Sequence, residues 1–446
     1  MGLDYLISPQ PYFFEGNLFI SFLMLFIFSI LILYNYLGYN YAIIISFIKT
    51  LIPFIFFAFF IDSTWIGLGD DLMYLSNGTL LYDIFSRIFN FELQYLEIDF
   101  VYDNYFKSTA PDFNKEVALS NGVFDSLSIF YSYYGYSSFW LKPINWISFF
   151  SLILFGYNWY ALVIVNIFIN ILSGLFLYNI ALISGFNKNY SKYLLIFFLI
   201  NVEILSWFSF VALKESLALF LIISIFYAYL SFLNNKINFK IITLFIFSLF
   251  ILSGVREYLP ALLIVYFFLV YVLINYNISY FFNNFNIFLS IGICIAIFIY
   301  FFSPNYTTST KEAFDLNVDI IFNIPFYSFI NFHTEFLQMI KSFISYLFGP
   351  KPWSINDKYT FLFFASVLHF IFIPITIFGS FNLFREKINF RILLIFFILM
   401  GLCYSYVFFE NRHRIQFSFI YIWAQYNFLY KIFTTNFFYQ KRKIVN

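Results

Sequence analysis

Long apolar runs, each about as long as a membrane-spanning helix, alternate with short polar turns over most of this chain. A bilayer core about 30 Å thick needs roughly 20 residues of a helix that rises about 1.5 Å per residue. The pattern predicts about eleven spans, at residues 17–37, 41–61, 157–183, 193–213, 216–233, 240–254, 258–276, 286–302, 360–384, 391–409 and 415–433. The run at 144–155 is too short to span, and we interpret it as an interfacial or re-entrant helix.

Two long polar segments interrupt this pattern, at residues 62–156 and 303–359. The first mixes short apolar stretches with turn residues, and the second contains a predicted amphipathic helix at 332–348. Loops of this length are usually functional or disordered, and these are too aromatic for disorder. With no repeat or low-complexity linker, we expect one integral membrane domain over residues 1–446, with interfacial helices in both loops.

Basic residues mark one side of the predicted membrane. Glu386 is the one acidic residue among them, and the basic residues are Lys188, Lys192, Lys236, Lys240, Arg385, Lys387, Arg391, Lys431, Lys441, Arg442 and Lys443. Because short cytoplasmic loops are rich in Lys and Arg, we predict the N-terminus outside and the C-terminus in the cytoplasm. No Lys or Arg precedes Lys49, so we do not expect a cleaved signal peptide.

Composition supports the membrane class. The 446 residues are 62% hydrophobic and 11% charged, with a mean hydropathy of +0.83, which is more apolar than a soluble domain of this size can bury. We therefore predict an all-α polytopic integral membrane protein. Cys294 and Cys403 both lie in apolar runs, so neither a disulfide framework nor a cysteine metal site is indicated.

Five polar motifs fall on the predicted outer side of the membrane. They are Gly69-Asp70-Asp71, Lys214-Glu215, Arg256-Glu257-Tyr258, Pro350-Lys351-Pro352-Trp353 and Glu410-Asn411-Arg412-His413-Arg414. Lys214 and Arg256 lie where two predicted helices meet with almost no loop, which holds each cation near the apolar boundary. Because all five motifs fall on the same side of the predicted membrane, they indicate a shared site.

The residue types in these motifs suit a lipid diphosphate substrate. Arg412 and Arg414 carry guanidinium groups that bind phosphate oxygens in bidentate fashion, and His413 could bond a phosphate or move a proton. Asp70 or Asp71 could accept the proton of a sugar hydroxyl as its oxygen attacks an activated carbon. Since clustered cations can hold the leaving group, we expect no metal and no cofactor.

Structural interpretations compete with these roles. A basic residue at a helix end is often an interface anchor, Asp70 or Asp71 could cap a helix, and Trp353 could belong to an aromatic belt. His413 alone is more often structural. Glu203 falls inside a predicted span, where an ionisable group is costly and usually functional. Lys49 also falls inside a predicted span, and it either has a function there or extends its side chain toward the cytoplasmic surface.

Several of these segments resemble a known family. Trp207-Phe208-Ser209-Phe210-Val211-Ala212-Leu213-Lys214-Glu215-Ser216-Leu217 resembles the W-S-x-x-x-x-K-E-S/A signature of bacterial polysaccharide polymerases and related lipid-linked sugar transferases of the GT-C type. Leu347-Phe348-Gly349-Pro350-Lys351-Pro352-Trp353 and Arg412-His413-Arg414-Ile415 follow in the order found in such proteins, as does Asp70 with Tyr74. In all, the chain resembles O-antigen or capsule repeat-unit polymerases of the Wzy kind.

This resemblance implies a bacterial inner-membrane enzyme that polymerises undecaprenyl-diphosphate-linked repeat units at the periplasmic or outer face. It further implies a chain-length regulator and a flippase as partners, with no nucleic acid. By the resemblance, Asp70 or Asp71 is the catalytic base with His413 auxiliary. The remaining roles are diphosphate binding for Lys214, Arg256, Arg412 and Arg414, and acceptor or loop positioning for Glu215, Tyr258 and Trp353.

Three other functions remain open from the sequence. One is a transferase that adds a single sugar from a polyprenyl-phosphate donor. Another is a lipid-linked oligosaccharide flippase or other transporter, although transporters concentrate polar groups near the bilayer midplane, where only Lys49 and Glu203 are predicted here. The last is a structural component of an envelope complex.

Overall fold

The computed structural model is helical throughout the part of the chain that it describes. Those residues are 18–60, 74, 78, 81, 142–155, 160–211, 213–236, 238–256, 258–275, 343, 346, 347, 352, 362–407 and 412–445. The helices are α1 (Leu18–Leu37), α2 (Tyr39–Ile55, continued by a π-helical turn, Phe56–Phe60), α3 (Pro143–Phe155), α4 (Tyr160–Ile183), α5 (Lys188–Ile200), α6 (Val202–Ser209), α7 (Lys214–Leu233), α8 (Phe239–Val255), α9 (Leu259–Asn275), α10 (Phe363–Glu386), α11 (Ile388–Val407), α12 (Arg412–Ile415) and α13 (Ser418–Val445). The predicted all-α class is confirmed for these residues.

Five helices are long and apolar enough to cross a membrane: α1, α2 with its π-helical turn as far as Ala58, α4, α7 and α10. Helices α5 and α6 make a sixth if the bent pair is one span. Helices α3, α8, α9 and α11 are apolar but shorter. The short run predicted at 144–155 is the thirteen-residue helix α3, and the span predicted at 286–302 lies outside the described residues.

The segment predicted as one span at 193–213 is interrupted. Helices α5 and α6 meet at Asn201 with a bend of 51°. The side chain of Asn201 accepts hydrogen bonds from the backbone N–H groups of Glu203 and Ile204, at 3.0 and 3.4 Å. An asparagine that caps the second helix in this way satisfies the N–H groups freed by the break. Glu203 is therefore held in the first turn of α6.

Helices α4 and α7 form the centre of the bundle, and most of their residues are buried. Helix α4 contacts α1, α3, α5, α6 and α7, while α10 contacts α6, α11 and α13. Helices α1 and α10 lie at the periphery and expose large apolar side chains, including Leu31, Phe364 and Ile371. In a membrane protein such faces are suited to contact with lipid.

Apart from the buried Lys49, the charged residues of the described helices lie toward the two ends of the bundle. At one end, Lys192 lies over the ring of Tyr41 (4.4 Å) and Lys387 over the ring of Phe186 (4.5 Å). Lys431 and Glu386 form an exposed ion pair near the same end. The other end contains the polar motifs of the helix junctions α6–α7, α8–α9 and α12–α13. We call these the basic end and the motif end.

Candidate functional site

The motif end begins with the first turn of α7, which carries Lys214 and Glu215. Leu213, just before the helix, is extended and supplies no side-chain cap. Instead, Asn166 of α4 donates from Nδ2 to the Leu213 carbonyl (3.2 Å), and the Asn166 carbonyl accepts from the hydroxyl of Ser216 (3.1 Å). Asn166 thereby holds the chain on both sides of Lys214 and Glu215. It is fully buried, so these bonds are shielded from water.

Asn166→Leu should weaken the start of α7. The Leu213 carbonyl would lose its side-chain donor in a buried setting and keep only the backbone N–H of Ser216 at 3.4 Å. We therefore expect the free energy of unfolding to fall by about 0.5–1.5 kcal/mol. Asn234→Leu is a matched control, because Asn234 donates to the Leu230 carbonyl at the exposed far end of the same helix. Thermal denaturation of both variants in detergent measures the difference, and equal losses would contradict a special role for Asn166.

Arg256, at the end of α8, forms a buried ion pair with Glu215. Its Nη2 lies 2.6 Å from Oε1 of Glu215, and the two side chains are 10% and 0% exposed. Burial lowers the pKa of Arg256, but the adjacent Glu215 carboxylate and the nearby tyrosines together raise it by more, so the net direction is upward. Arg256 Nε and Glu215 Oε2 are buried and have no hydrogen-bond partner among the described residues.

Beside this pair, side-chain hydrogen bonds join α9, α11 and the α12–α13 junction. The hydroxyls of Tyr258 and Tyr404 lie 2.6 Å apart, and Gln416 donates from Nε2 to the Tyr404 hydroxyl (2.5 Å). We call Glu215, Arg256, Tyr258, Tyr404 and Gln416 the Arg256 cluster. It shows that motifs more than a hundred residues apart in sequence meet at one end of the bundle.

A second buried cluster surrounds Arg414. Its Nη2 donates to Oε1 of Glu203, and its Nη1 donates to Nε2 of His369 (2.8 Å) and to the carbonyl of Leu347 (3.1 Å). Nδ1 of His369 lies 3.3 Å from Oε2 of Glu203. The Arg414 guanidinium also lies 5.3 Å from the ring centroid of Tyr421. We call Glu203, His369 and Arg414 the Arg414 cluster.

The ring nitrogens of His369 face three groups of this cluster. Nε2 lies 2.8 Å from Nη1 of Arg414, which can only donate, and 3.2 Å from the Leu347 carbonyl, which can only accept, while Nδ1 faces Oε2 of Glu203 at 3.3 Å. Glu203, placed in the first turn of α6, therefore binds a cation from the start of α12–α13 and an imidazole from α10. The break at Asn201 and the Arg414 cluster together fix α6 against these helices.

Tyr346 and Leu347 connect the two clusters. The ring of Tyr346 stacks on that of Tyr404, with centroids 5.9 Å apart, while the Leu347 carbonyl accepts from Arg414. This segment approaches α11 at Gly401, where an added Cβ would be 2.8 Å from a ring carbon of Phe343 and 3.0 Å from the Tyr346 ring. Gly401 therefore permits a close approach that places Tyr346 and Leu347 between the clusters.

The structure places only part of the predicted site. Lys214, Glu215, Arg256, Tyr258 and Arg414 lie at the motif end, where Glu215 pairs with Arg256 and Tyr258 bonds to Tyr404. Arg412 and His413 belong to α12, but their side chains are outside the description. The predicted residues Asp70, Asp71 and Trp353 also lie outside the described residues.

Tyr74 is the described residue nearest in sequence to the aspartate motif. It is helical, buried and close enough to Arg256 for an electrostatic interaction. Gly78, four residues later, is also helical, and an added Cβ there would overlap the side chain of Ser148 in α3. The Tyr74 interaction links the first long polar segment to the motif end near Arg256, while the contact at Gly78 lies within that segment.

Sequence reasoning missed His369, Tyr404 and Asn166. Each lies inside an apolar stretch without a neighbouring motif, so its isolation among apolar residues was the available signal. Gln416 lies two residues after Arg414 and was not assigned a role. Lys49, for which the sequence offered no partner, donates from Nζ to Oδ1 of Asn170 (2.7 Å) and is fully buried.

Both described arginines of the site are already paired with carboxylates. Arg414 Nε, like Arg256 Nε, is buried and has no hydrogen-bond partner among the described residues, so each guanidinium has a buried N–H that a ligand could use. An anion that binds here would share each arginine with its carboxylate. In the described part of the chain, no group of three His, Cys, Asp or Glu side chains is arranged to hold a metal ion.

The chain has no match among protein-family models, curated proteins or solved structures.

Proposed function

We propose that this protein is an integral membrane glycosyltransferase that polymerises undecaprenyl-diphosphate-linked oligosaccharide repeat units. The observation that carries the proposal is the meeting of the Lys214-Glu215, Arg256-to-Tyr258 and Arg414 motifs at one end of the bundle. Cations held by buried partners at a helix end suit a diphosphate whose lipid tail lies in the bilayer. Support also comes from the order of the motifs along the chain.

In this proposal the chain crosses the bacterial inner membrane eleven times, with both long polar segments outside. The basic end faces the cytoplasm, as short Lys- and Arg-rich loops do, and the motif end faces the periplasm or the cell exterior. The substrate lipid enters from the bilayer, and the growing glycan extends into the aqueous phase. A flippase supplies the lipid-linked unit, and a chain-length regulator is a further partner.

The proposed reaction is a displacement at the anomeric carbon of the donor glycan. A hydroxyl oxygen of the acceptor unit forms the new C–O bond while the bond to the diphosphate breaks. Asp70 or Asp71 takes the hydroxyl proton, and undecaprenyl diphosphate leaves with the electron pair. Lys214, Arg256, Arg412 and Arg414 stabilise the charge on the leaving diphosphate. His413 is auxiliary, and Glu215, Tyr258 and Trp353 position the acceptor or the loops.

A transporter of lipid-linked oligosaccharides is the second candidate. The break between α5 and α6 and the buried Glu203–Arg414 pair favour it, because transporters often bind substrate at interrupted helices with charged groups inside the membrane. The sequence alone showed only Lys49 and Glu203 in predicted spans. The broken helix is a further argument for the transporter candidate.

Reconstitution with a defined lipid-linked repeat unit tests the proposal. Purified protein in liposomes should convert a fluorescent unit into a ladder of longer lipid-linked glycans. Addition of one sugar from a polyprenyl-phosphate donor would instead identify a single-sugar transferase. Movement of the unit across the bilayer without any change in its length would identify a transporter. A protein that neither extends the lipid-linked unit nor moves it across the bilayer would contradict both the polymerase and the transporter.

Arg256→Gln should abolish most of the ladder. Loss of a group that stabilises the leaving charge typically costs about 100- to 1,000-fold in rate. Lys431→Gln is the control, because Lys431 pairs with Glu386 at the exposed basic end, and it should polymerise at the wild-type rate. Melting temperatures of both proteins must be measured, since a folded Arg256→Gln protein with full activity would contradict the assigned role.

A further inference from the structure

Lys49 is a buried lysine in the interior of the bundle, away from both charged ends. It lies in the middle of α2, is 0% exposed, and bonds to Asn170 in the middle of α4. No carboxylate among the described residues lies within ion-pair distance of its Nζ; Glu203 and Glu215 are committed to Arg414 and Arg256. A protonated amine without a counter-charge is expensive at this depth.

The side chains around Lys49 present donors. Because a protonated Nζ can only donate, the atom of Asn170 that faces it is Oδ1, which leaves Nδ2 as a second donor. That Nδ2 is buried and has no partner among the described residues. The hydroxyl of Ser46 is likewise buried without a partner, and Ser46 lies three residues before Lys49, on the same side of α2.

This excess of donors distinguishes the site from one for buried water. A water molecule offers two donors and two acceptors, and it leaves the positive charge uncompensated. A monovalent anion accepts from all three groups and neutralises the ammonium. Asn166, one helical turn from Asn170, bonds to the start of α7, so polar side chains continue from Lys49 toward the motif end.

We propose that Lys49, Asn170 and Ser46 form a binding site for a small monovalent anion, with chloride the abundant occupant. The site is separate from the Arg256 and Arg414 clusters and does not depend on the proposed transferase activity. The anion is the missing counter-charge between α2 and α4, and its binding stabilises the Lys49–Asn170 contact that joins these two helices.

Thermal denaturation of the purified full chain in sodium chloride and in sodium gluconate, at equal total salt, tests this site. The melting temperature should rise with chloride by about 2 °C for each tenfold increase above the dissociation constant. Lys49→Met removes the charge with little change in volume and should melt at a temperature that chloride does not change. Lys192→Met, which removes a lysine at the basic end, should respond to chloride as the wild type does.

Asn170→Asp provides a second test that does not rely on loss of the lysine. The new carboxylate supplies the counter-charge directly, so this variant should be folded and stable in gluconate and should not respond to chloride. A wild-type protein insensitive to chloride would show that the amine is neutral or bound to water, and would overturn the proposal. A chloride response that persists in Lys49→Met or in Asn170→Asp would overturn it equally.

Discussion

Glu203→Leu should be among the most destabilising single substitutions in this chain. It leaves Arg414 and His369 buried without their carboxylate, and the loss of one partner of a buried pair costs about 3–5 kcal/mol. The double variant Glu203→Leu, Arg414→Met should recover most of this loss, because no charge then remains unpaired. Denaturation of the purified proteins in detergent measures both effects.

Glu386→Leu is the matched control for this experiment. The side chains of Glu386 and Lys431 are 47% and 36% exposed, and surface pairs contribute about 0–1 kcal/mol.

The double variant Glu203→Leu, Arg414→Met also separates stability from activity. A folded double variant that still polymerises glycan would show that Arg414 serves only the fold. Glu203→Leu with wild-type stability would contradict the buried pair itself.

Gly379→Leu should force α10 away from α13. A Cβ at residue 379 would overlap the backbone carbonyl of Ala424, and a helix backbone cannot move aside as a flexible side chain can. Overpacking costs about 1–3 kcal/mol where side chains yield, and we expect a loss at or above the top of that range. The melting temperature in detergent is the measurement.

Ile377→Leu is a control on the same helix, since Ile377 is 53% exposed and should tolerate the change. The displacement of α10 would also move His369, which lies on that helix. Gly379→Leu should therefore reduce activity as well as stability. Wild-type melting behaviour would show that α10 and α13 are not packed as closely as the structure indicates.

Hydrophobic patterning was enough to predict most of the helices. The predicted spans at 17–37 and 216–233 correspond to α1 and α7 within a few residues, because apolar length and flanking turns are local properties. The break in the span predicted at 193–213 was missed, since apolar residues continue through it. Asn201, two residues before Glu203, was the one sequence feature that indicated a new helix start, because asparagine is a good N-cap residue.

The pairing of charges could not be predicted in the same way. Arg256 and Arg414 were identified as site residues, but their carboxylate partners depend on which helices pack together. Glu203 and Arg414 are 211 residues apart, and His369 lies on a helix without any motif. A single sequence gives no information about contacts at such separation. The roles assigned to all the predicted site residues remain predictions, and Asp70, Asp71 and Trp353 lie outside the described residues.

Tyr346 and Leu347 give the two clusters a shared boundary. A ligand that shifts the Tyr346 ring off Tyr404 also moves the adjacent Leu347 carbonyl, an acceptor for Arg414. Occupation of one cluster then changes the affinity of the other, and thermodynamic reciprocity makes the factor the same in both directions. If the proposed diphosphate contacts both arginines, its binding at Arg256 and its binding at Arg414 are linked through these two consecutive residues.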